Sequence, residues 1–101
     1  MTMNTRPKSY MTDAERERRR AGGMSENAML IAESRAADRA GDEEAAWAWL
    51  ALAQLPAHSL AYLRDRHGAD FIRARGFQTA NADAAYGPGW LDRARPGAHP
   101  G

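Results

Sequence analysis

The 101-residue chain contains no cysteine, no valine and only two isoleucines, Ile31 and Ile72. Without thiols it can form no disulfide, hold no metal through thiolates and use no cysteine nucleophile. β-Branched side chains pack well on a pleated sheet, so their scarcity argues against β-structure. Alanine, the strongest helix former, occurs 22 times. The composition therefore predicts an all-α protein with a single domain at most.

The chain also lacks a long apolar segment. Its longest apolar run covers residues 45–53. That run belongs to an expected helix of roughly 20 Å, which is too short for the roughly 30 Å hydrocarbon core of a bilayer. The first residues show no apolar core of a signal peptide. We therefore expect a cytoplasmic protein that does not enter a membrane.

The apolar run lies in a helix that we expect between Asp42 and Pro56. Asp42 is a suitable N-cap, and Pro56 ends the helix because its ring cannot continue the hydrogen-bond ladder. At about 100° per residue, Trp49 and Trp47 project from nearly opposite sides. We expect Trp49 in the core. Trp47 is then either wrapped by other helices or kept for contact with a partner or with a second copy of the chain.

Start and stop signals divide the remaining sequence into short helices. We expect helical segments at residues 12–20, 25–40, 56–67 and 71–75, and one further turn near residues 79–86. Their starts include a capping box of Thr12 and Glu15 and N-caps at Ser25 and Asp70. The charged residues of the second segment, Glu33 among them, are expected on a solvated face.

The expected organisation is a compact bundle of four to five short helices in residues 24–92. Residues 1–23 are expected to form a basic, flexible arm, because no apolar stripe holds its short charged helix against the bundle. Met24 is a candidate alternative start of the protein. Residues 93–101 are rich in proline and glycine, and we expect them to form a flexible tail.

No arrangement of residues predicts catalysis, a cofactor or a metal ion. His58, His67 and His99 stand at none of the i, i+3 or i+4 spacings typical of helical metal ligands. The paired carboxylates Glu43 and Glu44 are explained by the favourable position of negative charge at a helix N-terminus. No glycine-flanked serine and no phosphate-binding glycine loop occurs. We therefore expect no enzyme activity, no cofactor and no metal ion.

Basic charge is concentrated near both ends: residues 1–20 sum to +3, residues 21–60 to −4 and residues 61–101 to +2. Two groups of arginines stand out, Arg16, Arg18, Arg19 and Arg20, then Arg64, Arg66, Arg73 and Arg75. Either group can contact nucleic-acid phosphates. A helix-turn-helix reading fails because its recognition helix would be the apolar run, which has no groups to read base edges. Nonspecific nucleic-acid binding is therefore the alternative function.

Protein binding is the favoured function. An exposed tryptophan or tyrosine flanked by arginine is the usual anchor composition of a protein interface. The candidate partner-binding residues are Trp47, Tyr62, Arg64, Arg66, Arg73 and Arg75. We expect a non-enzymatic protein that binds a protein or nucleoprotein partner stoichiometrically, as an adaptor or inhibitor. Homo-oligomerisation through the spare face around Trp47 is an alternative use of the same surface.

In size and composition, residues 24–92 resemble the small Arg- and Ala-rich helical proteins encoded as accessory genes on plasmids, phages and integrative elements of GC-rich bacteria. The resemblance implies work as an adaptor or inhibitor, including that of anti-CRISPR proteins, which block their targets stoichiometrically. With a net charge of +1, the chain is less acidic than a nucleic-acid mimic of that class.

Overall fold

The computed structural model describes residues 6–93 as six α-helices and a final 3-10 turn, with no strand among these residues. The elements are α1 (Asp13–Ala21), α2 (Glu26–Arg39), α3 (Glu43–Leu52), α4 (Ala57–His67), α5 (Ala69–Arg75), α6 (Ala80–Tyr86) and the 3-10 turn Trp90–Asp92. The all-α prediction is confirmed. The helix count exceeds the expected four to five because α1 precedes five further helices. None of these helices is long and apolar enough to span a membrane.

The chain divides into two compact units, Met1–Ala53 and Gln54–Gly101. Unit 1 contains α1, α2 and α3, whereas unit 2 contains α4, α5, α6 and the 3-10 turn. Of the expected tail, only Arg93 is among the described residues, and residues 1–5 of the expected arm lie outside them. His99 lies outside them too. The expected domain limits at residues 24 and 92 stay a prediction.

The three helices of unit 1 begin at the side-chain caps that the sequence predicts. Thr12, Ser25 and Asp42 each accept a hydrogen bond from the amide three residues further on, at 3.1, 3.1 and 3.0 Å respectively. Each bond satisfies one of the backbone N–H groups that the first turn of a helix leaves without an intrahelical partner. These starts are therefore determined locally.

The predicted cap at Asp70 is wrong. α5 begins at Ala69, directly after Gly68, and no side chain caps it. Gly68 has a φ of 94°, a conformation that glycine adopts without the steric cost of a side chain, and it separates α4 from α5. Asp70 instead lies in the first turn, where its carboxylate is 3.7 Å from the Arg73 guanidinium.

The core of unit 1 lies between α2 and α3 and is built largely from alanine. Ala37 of α2 packs with Ala45, Ala46 and Trp49 of α3. Small side chains at such a contact let two helices approach closely. The Ser34 hydroxyl donates a buried hydrogen bond of 2.7 Å to the Ala46 carbonyl across the same contact. Trp49 is only 3% exposed, which confirms its predicted place in the core.

The N-terminal segment (residues 6–12) is bound to this helix pair by hydrogen bonds. The Trp49 indole N–H donates to the Lys8 carbonyl at 2.9 Å. The Tyr10 hydroxyl donates to the Asp42 carboxylate at 2.6 Å. Asp42 thus uses one carboxylate oxygen to cap α3 and the other to hold the segment.

The N-terminal segment also contributes to the core. Met11 is buried in a cluster with Met29 and Ala36 of α2. Here the structure differs from the expected flexible arm of residues 1–23, because residues 9–11 are partly or fully buried and Lys8 is bound through its carbonyl. The expectation rested on the absence of a helical apolar stripe, but this segment is not helical and packs through single side chains and one carbonyl.

Glu33 is a second difference from the sequence-based expectation, which placed it on a solvated face. Glu33 is only 3% exposed. The carboxylate accepts a hydrogen bond of 2.7 Å from the Ser9 hydroxyl and lies 3.4 Å from the Arg16 guanidinium. Arg16 also donates to the Met11 carbonyl at 2.9 Å. A buried carboxylate needs such partners, and here they come from residues before and within α1.

In unit 2, α4 contacts both α5 and α6, and the 3-10 turn contacts α6. Among the described residues of this unit, the buried apolar side chains are Leu55, Leu60, Leu63, Ile72, Phe77, Ala82 and Trp90. Trp90 is buried, and its indole N–H donates to the Asp83 carboxylate at 2.8 Å. The Asn81 side-chain amide donates to the Leu55 carbonyl at 3.0 Å. These bonds fix α6 against the start and the end of the unit.

Candidate functional site

A groove with an aromatic lining lies in unit 2. Its volume is about 680 Å³, and α4, α6 and the final turn form its walls. We call it the aromatic groove and define it by His58, Tyr62, Asp65, Tyr86, Trp90 and Arg93, with Arg64 in its floor. Its volume falls within the roughly 300–1,000 Å³ typical of ligand-binding clefts.

The two tyrosines of the groove are unusually open to solvent. The exposed large hydrophobic residues among residues 6–93 are Leu52 at 40%, Tyr62 at 59% and Tyr86 at 41%. Two of these three line the same groove. Tyrosine supplies a large, rigid contact surface with a polar tip, which suits a surface that is alternately wet and covered.

The rings of the groove are held in place by their neighbours. The Tyr86 and Trp90 ring centroids lie 5.9 Å apart in a tilted arrangement. The Arg66 guanidinium lies 5.8 Å from the Tyr62 ring centroid. Cation–π and tilted ring contacts of this kind each favour one ring orientation. These contacts favour the observed orientations of the Tyr62, Tyr86 and Trp90 rings.

Arg64 is part of the floor and does not present its charge to solvent. Its guanidinium donates a 2.6 Å hydrogen bond to the Trp90 carbonyl, lies 3.0 Å from the Asp65 carboxylate and covers the Trp90 ring at 5.3 Å. The residue is buried. The role of Arg64 in contacting a partner stays a prediction, and in the structure its donors hold the 3-10 turn against α4.

Arg73 and Arg75 lie on α5 and do not line the groove. Arg73 makes two hydrogen bonds to the Asp92 carboxylate, at 2.6 and 2.7 Å, and this pairing raises the pKa of the Arg73 guanidinium above its usual value. The Arg75 guanidinium lies 4.8 Å from the Phe71 ring centroid. Of the six predicted partner-binding residues, the structure therefore brings Tyr62, Arg64 and Arg66 together.

Trp47 belongs to unit 1 and is half-buried. It borders a smaller cleft of about 290 Å³ with Asp38 and Glu43 among the lining residues. The structure thus places Trp47 between the two alternatives that the sequence left open, neither enclosed in the core like Trp49 nor fully exposed. Its role in partner binding stays a prediction.

The arginine run of α1 is largely engaged within unit 1. Arg16 pairs with Glu33 and with Asp13. Arg19 lies 2.8 Å from the Glu15 carboxylate, and its hydrogen bonds lower the pKa of that carboxyl group. The remaining two positions are Arg20, which is 3.5 Å from Glu26, and Arg18, which is exposed. The run therefore presents less net charge than the sequence suggests.

Among residues 6–93, no three His, Asp or Glu side chains come together in a group that could hold a metal ion. His67 stacks on Phe71 with a centroid distance of 4.5 Å.

His58, Tyr86 and Arg93 line the aromatic groove but were not selected as site residues from the sequence. The available signal for Tyr86 was its position four residues before the buried Trp90, which places both aromatic rings beside one glycine-rich turn.

No protein-family model, no curated protein and no solved structure matches this chain.

Proposed function

We propose that this chain is a non-enzymatic interaction protein that binds a protein partner stoichiometrically, as an adaptor or inhibitor, through the aromatic groove. The observation that carries the proposal is that, of the three exposed large hydrophobic residues among residues 6–93, two lie in one groove. Scattered exposed apolar residues are normal on a protein surface, whereas their concentration in a concave site is typical of an interface.

The composition of the groove supports a protein interface. Tyrosine, tryptophan and arginine are the residue types that contribute most to binding energy in interfaces. The floor is already fixed by the Arg64 hydrogen bond to the Trp90 carbonyl. Binding to such a floor requires less ordering of side chains, so more of the contact energy contributes to affinity.

The charges of the groove favour an apolar group of the partner over a phosphate backbone. Arg64 is paired with Asp65, and Arg93 donates to the carbonyls of Pro88 and Tyr86 at 3.0 and 3.2 Å. Nucleic-acid backbones are bound by cationic groups that neutralise phosphates. The partner that fits is a protein surface that inserts an apolar or aromatic side chain between the two tyrosines.

Paired variants of the full chain test this function. Tyr62→Ala and Tyr86→Ala remove exposed rings of the groove, whereas Leu52→Ala removes an exposed large hydrophobic side chain that lies in unit 1. We expect the first two variants to lose the same protein from a lysate of the source organism, and the third to retain it. The captured protein is then titrated by calorimetry with the parent chain, where a 1:1 complex is expected.

Two results would contradict the proposal. One is equal capture of the same partner by all three variants and the parent chain. The other is binding that disappears with nuclease treatment or high salt, because phosphate contacts weaken steeply with ionic strength and an apolar interface does not. Light scattering of the parent chain alone identifies the remaining case, a homo-oligomer that Tyr62→Ala or Tyr86→Ala dissociates.

A further inference from the structure

A second cleft, of about 320 Å³, lies in unit 1, where α1, α2 and the loop between them meet. Its floor is apolar and its rim carries three arginines; the lining residues are Met24, Ala28, Ile31, Ala32, Arg19, Arg35 and Arg39. The α2 residues recur at spacings of three and four, which places them along one face of the helix. We call this site the cationic cleft.

The cationic cleft has more positive than negative charge. Arg19 donates from two nitrogens to one Glu15 oxygen, at 3.1 and 2.8 Å. Arg35 and Arg39 are exposed on α2. The three arginines and the one carboxylate therefore leave two positive charges in excess at the rim. Asp38 lies between Arg35 and Arg39 in the sequence, but it lines the cleft beside Trp47 and not the cationic cleft. Arg35 lines both clefts.

We propose that the cationic cleft binds an acidic, amphipathic peptide segment of a protein, with an aliphatic side chain on the floor and flanking carboxylates on Arg35 and Arg39. Guanidinium groups bind carboxylates through paired, charge-assisted hydrogen bonds. Burying an aliphatic side chain of the peptide against Met24 and Ile31 favours binding, because apolar surface on both sides is removed from water. A phosphate backbone has no such group to place there, so the floor distinguishes a peptide from a nucleic acid.

The cationic cleft is a different site from the aromatic groove and rests on different residues. Its ligand is held by charge as well as by apolar contact, so its affinity must fall with ionic strength. Binding at the aromatic groove is expected to change little with ionic strength. Failure of one proposal therefore leaves the other unaffected, and the two are distinguished by the variants that abolish binding.

The test uses NMR spectra of the full chain with labelled methionine and isoleucine methyl groups. The probe is a blocked hexapeptide, Glu-Leu-Glu-Glu-Leu-Glu. Two matched peptides replace either the glutamates by glutamine or the leucines by serine, and a short DNA duplex serves as the polyanion without an aliphatic group. We expect the first peptide to shift the methyl signals of Met24 and Ile31, and the other three probes to leave them in place.

Two matched variants test whether the arginines of the rim bind the peptide carboxylates. Arg39→Gln removes an arginine of the rim, whereas Arg18→Gln removes an exposed arginine of α1 that does not line the cleft. Both lie close enough to Glu15 to lower the pKa of its carboxyl group. We expect Arg39→Gln to weaken peptide binding about tenfold, as the loss of one charge-assisted contact requires, and Arg18→Gln to leave it nearly unchanged.

Three outcomes would overturn the proposal. Absence of methyl shifts with the first peptide at millimolar concentration shows that the cleft does not bind this class of ligand. Equal shifts with the serine peptide or the duplex show that the site senses charge alone. Equal loss of binding in Arg18→Gln and Arg39→Gln shows a diffuse electrostatic attraction without a defined cleft. Circular dichroism of both variants confirms that each is folded.

Discussion

Replacing Met11 by alanine in the full chain tests whether the N-terminal segment is part of the folded protein. The sequence predicts that residues 1–23 form a flexible arm, in which case the substitution has no effect on stability. In the structure, Met11 is 6% exposed and packs with Met29 and Ala36. The substitution then leaves a cavity beside α2.

The expected loss follows from this burial. Truncating a buried methionine to alanine costs roughly 2–5 kcal/mol, because the apolar atoms are lost and the surroundings collapse only in part. One of the neighbours of Met11 is the small side chain of Ala36, so we expect the lower end, about 2 kcal/mol. For a chain of this size that corresponds to a fall in Tm of roughly 8–16 °C.

Urea denaturation followed by circular dichroism measures the effect. Met24→Ala is the matched control, because Met24 is the same residue type, packs at the edge of the same cluster and is only half-buried. We expect Met24→Ala to cost much less than Met11→Ala. A chain that begins at Met24 provides the second measurement, and it should be less stable than the full chain. Unchanged midpoints in both Met11→Ala and the shortened chain would refute the argument that this segment is packed.

Three further results are expected. Trp49→Ala should cost roughly 3–5 kcal/mol because its ring is buried, whereas Trp47→Ala should cost much less; equal losses of Tm would contradict this distinction. The hydrogen bond from Tyr10 lowers the pKa of the Asp42 carboxyl group and raises that of the Tyr10 hydroxyl. The Asp42 contribution to stability is therefore present above its unfolded-state pKa and lost as the pH falls through the folded-state value. The Tyr10 contribution is present below its unfolded-state pKa and lost as the pH rises through the folded-state value. Tyr10→Phe should flatten the dependence of stability on pH at both ends, and an unchanged profile from chemical denaturation across pH would argue against the bond.

Most of the secondary structure was predictable because its signals are local. Thr12, Ser25 and Asp42 cap helices through amides only three residues away. The assignment of Trp49 to the core followed from helical periodicity, which also depends on near neighbours. Asp70 was predicted as a cap by the same logic, but α5 begins at Ala69, directly after Gly68 and two residues before the expected start at Phe71.

The candidate site was predictable only in part. Tyr62 and Arg64 were selected from the sequence and both line the aromatic groove, and the selected Arg66 lies beside the Tyr62 ring. Tyr86 and Arg93 were missed, since nothing in a local pattern shows that α6 packs beside α4 and brings these residues to Tyr62. A partner contacts only the surface that the folded units present, and that surface joins residues that are distant in sequence.

Local sequence signals specify that the chain is helical and where most of its helices begin, because caps, glycines and helix formers act over three or four residues. Tertiary structure alone decided which charged side chains are buried. Glu33 receives its hydrogen bond from Ser9, 24 residues away, and Arg64 donates to the carbonyl of Trp90, 26 residues away. A charged side chain is buried only where such distant partners compensate its lost hydration, and the chain must fold before those partners meet.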